Sequence, residues 1–179
     1  MKEQKHRLII VLGMHRSGSS AVTKGLEAMG VELGDNLMPP DPYNEKGYFE
    51  DIEINRLNIE VMNSLGYRWN SLAVFNEATF KKDTVPQLRE RATNLLGEKI
   101  QDKDILGIKD PRMCRILPFW KPVFSNLDIV VNYVIILRSL DSITASLFRR
   151  DSIPRVKSIH LWALHMLSAF EETAGYLRA

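Results

Sequence analysis

The stretch from Arg7 to Ser20, RLIIVLGMHRSGSS, constrains the fold more than any other. Its opening run of branched apolar residues does not alternate with polar ones, so it reads as a strand buried on both faces, as in a parallel sheet. Gly13 and Gly18 follow, and Ser17, Ser19 and Ser20 surround the second glycine. A helix is predicted from about Gly18 to Met29, with Gly30 as its stop. A strand that turns this tightly into a helix points several backbone N–H groups, and the positive end of a helix dipole, at one spot. That spot attracts an anion. Gly13 and Gly18 let the backbone come close to it, the three serines add hydroxyl donors, and Arg16 adds a planar, permanently charged fork.

The rest of the chain repeats the strand–helix alternation. GDNLMPPDPYNEKGYFED is a long loop dense in turn formers, of a length that is often functional. Ile54, Leu57, Val61 and Leu65 mark one face of a helix, and TVPQLRERATNLLGEKI is a second. DILGIKD reads as a short buried strand. MCRILPFWKPVF reads as a helix interrupted by Pro118 and Pro122. DIVVNYVIILR is the strongest strand signal in the chain, SLDSITASLFRR opens a helix behind it, and KSIHLWALHMLSAFEETAGYLRA is a long amphipathic helix, with His160 and His165 expected to be packed. This order predicts a single α/β domain over residues 1–179, with a mainly parallel sheet flanked by helices in three layers. In such folds ligands lie beyond the carboxyl ends of the strands. Three predicted strands run into polar clusters, GMHRSGSS, KDPR and RSLDS, which are expected to meet at one site.

Composition narrows the function. The formal net charge is only +2 over 179 residues, so no extended basic surface for nucleic acid is expected. Cys114 is the one cysteine, which fits a reducing compartment, and LIIVLG is too short for a signal peptide or a membrane span. A cytoplasmic location is expected. The four histidines are scattered, and no metal site is expected. Nucleoside-triphosphate loops place a lysine directly after the second glycine. Here that position is Ser19, while Ser20 keeps the hydroxyl that would hold magnesium.

The sequence Arg16-Ser17-Gly18-Ser19-Ser20 resembles the 5′-phosphosulfate loop of sulfotransferases that use 3′-phosphoadenosine 5′-phosphosulfate. The tyrosylprotein and bacterial carbohydrate enzymes, which also carry arginine there, are the most similar. The resemblance runs from Leu8 to about Phe148 and implies a P-loop-like fold. Family members usually continue with further strands or loops, so the implied fold lacks the usual C-terminal part. The family holds the donor's 3′-phosphate with a strand-end arginine and a serine eight positions later, and Arg138 and Ser146 match that pair. On the residues alone, Arg138 is also suited to an ion pair with Asp141 or Asp151.

The resemblance further implies that Lys109, in GIKDPR, stabilises the transition state; a structural pair with Asp110 is the alternative. The histidine that aryl sulfotransferases place two positions later is Pro111 in this chain. NEKGYFE matches a bacterial pattern whose glutamate is Glu50, the expected base, with Glu45 second and helix capping by Glu50 and Asp51 as the structural alternative. Arg149 and Arg150 read as a solvated helix end, with help to the 3′-phosphate as the alternative, and Trp69, Trp120 and Trp162 as core or acceptor-pocket walls. The implied activity is sulfuryl transfer to a hydroxyl or amine of a small molecule, glycan or lipid. A kinase of a small hydroxyl substrate and an inactive nucleotide-binding module are the alternatives. The apolar last helix suggests a homo-oligomer.

Overall fold

The computed structural model describes residues 6–176. Three parallel strands, β1 (Arg7–Leu12), β2 (Ile105–Lys109) and β3 (Val130–Ile135), form a sheet in the order β2-β1-β3. Helices α1 (Ser19–Ala28), α2 (Ile52–Ser64), α3 (Val85–Ile100), α4 (Met113–Asn126), α5 (Leu140–Asp151) and α6 (Arg155–Thr173) flank it. The α/β architecture expected from the strand–helix alternation is therefore present. Among the described residues no helix is long and apolar enough to cross a membrane.

The central position of β1 explains its composition. With a strand on each side and helices over the sheet, Leu8, Ile10, Val11 and Leu12 are buried. The register sets Val11 opposite Lys109 on one side and Val134 on the other. The three carboxyl ends are thus level, and the loops that follow them open onto the same edge of the sheet. The predicted stripe of α2 packs inward: Ile54, Leu57, Val61 and Leu65 are all buried. Asp51 caps this helix, its carboxylate accepting from the N–H groups of Glu53 and Ile54.

Four sequence expectations need correction. β3 ends at Ile135, not at Arg138, and it forms an edge of the sheet in which Val130 stays exposed; a strong hydrophobic run does not reveal whether a second neighbour exists. α4 runs through both prolines, and its break falls at Ile116 (φ −114°, ψ 20°), because the ring of Pro118 crowds the turn before it rather than its own position. The last helix starts at Arg155 and gives way to a short 3-10 turn at Ala174–Tyr176. His165 is buried, as expected, but His160 is exposed.

Candidate functional site

The turn after β1 has the shape its glycines predict. Gly18 caps α1 with φ 89°, a left-handed conformation that suits glycine. A Cβ on Gly13 would lie 2.6 Å from the Ser17 hydroxyl and 3.3 Å from the Ile136 Cβ, so a larger residue there would push the Ser17 side chain aside. Arg16 is also left-handed, at φ 70°, which costs an arginine roughly 1 kcal/mol. Arg138 Nη1 donates to the carbonyl of this residue at 2.9 Å.

That twist turns the Arg16 side chain toward α5. Its Nε donates to Ser146 Oγ at 2.8 Å, and its Nη1 to the Tyr43 carbonyl at 3.1 Å. Two residues expected in different halves of a donor site are thus in direct contact. Arg138 lies three residues past the end of β3, exposed, and pairs with neither acid considered for it: Asp141 bonds Arg155 and Asp151 bonds Arg150. Ser146 and Ser17 are buried, and the Ser17 hydroxyl has no partner. Ser19 begins α1, also buried.

Lys109 arrives from the end of β2. Its ammonium donates to Glu50 Oε1 at 2.6 Å and to the Tyr48 carbonyl at 3.0 Å, with Ser20 Oγ at 3.4 Å. Glu50 Oε2 accepts from Asn55 Nδ2 at 2.7 Å. Both side chains of the pair are almost fully buried, 3% and 6% exposed. Burial, and then the nearby Asp110, raise the Glu50 carboxyl above the ordinary range, while Lys109 and Arg112 pull it back. Asp110 does not pair with Lys109. It accepts from the backbone and side chain of Arg112 and from Asn58, which in turn accepts from Trp120 Nε1. Of the two carboxylates considered as caps, Asp51 takes the helix and Glu50 turns inward. Glu45 stays exposed.

Arg16, Gly18, Ser19, Ser20, Glu50, Lys109 and Arg138, among others, line one cleft of about 850 Å³, whereas Ser17 and Ser146 are buried behind its surface and do not line it. A volume of that order suits a nucleotide-sized ligand. The three polar strand ends therefore do converge. The long loop forms its opposite wall. Asn44 donates to Ser20 Oγ at 3.2 Å, Ser20 donates to the Tyr48 carbonyl at 3.3 Å, and the Tyr48 hydroxyl bonds Asp41 at 2.5 Å. Burial, and then the Asp41 bond, push the Tyr48 phenol up to about 12.

Sequence reasoning gave His15 no role at the site, and gave Trp69 and Arg150, which also line the cleft, a role there only as one of two readings. His15 lies against Trp69, ring centroids 4.3 Å apart, with its Nε2 buried and unpartnered. Burial first, then the charge of Arg112, hold this imidazole well below its usual range, so it is neutral near pH 7. Arg150 also lines the cleft, its guanidinium carbon 5.8 Å from the Trp69 ring centroid. Asn55 and Asn58 left a readable trace, as polar residues beside the buried stripe of α2. No family model, curated protein or solved structure matches this chain.

Proposed function

We propose that the chain transfers a sulfuryl group from 3′-phosphoadenosine 5′-phosphosulfate to a hydroxyl or amine of a small-molecule, glycan or lipid acceptor. The observation that carries this reading is the contact between Arg16 and Ser146. It joins the phosphate-binding turn to the middle of α5 as one anion-binding wall, as a donor with anionic groups at both 5′ and 3′ positions needs. The arginines of this wall meet neutral oxygens, so they are available to a ligand.

In the reaction, the acceptor oxygen or nitrogen attacks sulfur in line. The bond from sulfur to the bridging phosphate oxygen breaks, and adenosine 3′,5′-bisphosphate leaves with the bonding pair. Serines 19 and 20 and the turn's N–H groups hold the 5′-phosphosulfate. Lys109, beside Ser20, balances the charge that builds on the transferring oxygens. Glu50 takes the acceptor's proton; its raised pKa makes it a stronger base than a surface carboxylate. Arg138 and Ser146 read the 3′-phosphate.

The test is a set of titrations by calorimetry. The protein binds adenosine 3′,5′-bisphosphate more tightly than adenosine 5′-phosphate. Arg138→Ala loses about ten- to a hundredfold on the bisphosphate, the worth of one charge-assisted bond, and little on the monophosphate. No preference for the bisphosphate, together with tight magnesium-dependent ATP binding, would replace this reading with a kinase.

A further inference from the structure

α5 brings another arginine to the same wall. Ser146 and Arg150 are four residues apart on α5, so they lie one above the other on the same face. Ser146 already receives Arg16, and Arg16, Arg138 and Arg150 all line the cleft. Arg150 is held at its place from two sides: its Nε donates to Asp151 at 2.7 Å, and its guanidinium lies over the Trp69 ring. Trp69 is itself braced by His15. Burial, and then the charge of Arg150, make Arg16 easier to deprotonate than usual, and Arg138 adds to the effect. Three guanidiniums thus share one stretch of wall, and the carboxylate of Asp151 is the acid bonded to this group. A fold does not gather like charges this way without a cost, unless an anion offsets it.

We propose that Arg150 is the third guanidinium of a cradle, with Arg16 and Arg138 around the Ser146 hydroxyl, that grips a phosphate monoester dianion, and that Trp69 is the shelf that holds Arg150 in position. Planar forks arranged around one point suit a group with three equivalent oxygens. This rests on the donor reading above, which makes the monoester the 3′-phosphate of the nucleotide. It also moves Arg16 from the 5′ to the 3′ end of the ligand.

The experiment measures affinities of adenosine 3′,5′-bisphosphate and adenosine 5′-phosphate for wild type, Arg150→Ala, Arg150→Lys, Arg16→Ala and Arg149→Ala. Arg149 is the exposed neighbour and serves as control. Arg150→Ala and Arg16→Ala lose about tenfold or more on the bisphosphate and less than about twofold on the monophosphate. Arg150→Lys keeps the charge but not the fork, and falls between Arg150→Ala and wild type. Arg149→Ala matches wild type on both ligands. If wild type prefers the bisphosphate and Arg150→Ala keeps the whole preference, or loses equally on both ligands, the cradle is wrong and the donor reading stands. If wild type shows no preference, the donor reading and the cradle fall together.

Discussion

At one end of the cleft Lys109 and Arg112 each meet a carboxylate, Glu50 and Asp110, inside the protein. At the other end Arg16 and Arg138 meet a hydroxyl and two backbone carbonyls, and Asp151 answers Arg150 alone. The first arrangement is complete within the protein, and in the proposed function a bound anion completes the second. The difference has an energetic meaning. A buried ion pair fixes geometry but becomes a liability once one partner is gone. A partly exposed cluster of like charges adds little to stability and much to affinity for an anion.

Three measurements test that contrast. Glu50→Gln leaves the Lys109 ammonium buried beside a neutral amide, so it should cost about 3–5 kcal/mol in denaturant unfolding. The double variant Glu50→Gln with Lys109→Met should recover much of that loss. In the proposed reaction Glu50→Gln should also slow turnover by ~10²-fold or more, while Glu45→Gln leaves it near wild type. A cost below about 1 kcal/mol for Glu50→Gln would erase the distinction between the two ends.

A smaller effect comes from the histidines behind the paired end. Burial, and then Arg115, depress His165 from 6.5 to about 3. A depressed folded-state pKa gives stability that is present above 6.5 and is lost as the pH falls toward 3, at no more than about 1.4 kcal/mol per pH unit for this group. Unfolding free energies between those limits should therefore fall with acid in wild type and fall less steeply in His165→Gln. Equal slopes would mean that His165 does not contribute.

The smallest effect belongs to the arginine end. Arg138→Ala should change the stability of the free protein by less than about 0.5 kcal/mol, on the stabilising side at low salt, with the gain fading at high salt. A clear destabilisation would show that Arg138 mainly braces the left-handed turn at Arg16.

The phosphate-binding turn was legible because it depends on local chemistry: a buried strand, two glycines and a helix start lie within fourteen residues, Arg7 to Ser20. Lys109 and Arg138 were legible as polar residues that end apolar runs. What those side chains touch was not. The direction of Arg16 follows from one positive φ, and the pairing of Lys109 with Glu50 rather than Asp110 joins residues 59 apart in sequence. Trp69 was legible as a core or pocket-wall aromatic, but its contacts were not, because its neighbours His15 and Arg150 come from elements far along the chain. The edge position of β3 escaped for the same reason, since pairing partners are a property of the whole sheet.

The loop from Asp41 to Glu50 already occupies several of the donors a ligand would use. The Tyr48 carbonyl takes Ser20 and Lys109, and the Tyr43 carbonyl takes Arg16. In the proposed function this segment, tethered to the site, is an internal competitor of the ligand at a high effective concentration. Measured affinity then reports how much better an incoming anion satisfies these donors than the protein's own backbone does, rather than how much better than water. Gly47 and Phe49, both left-handed at φ 91° and 54°, bracket the Tyr48 carbonyl, so a small rotation at either one withdraws it.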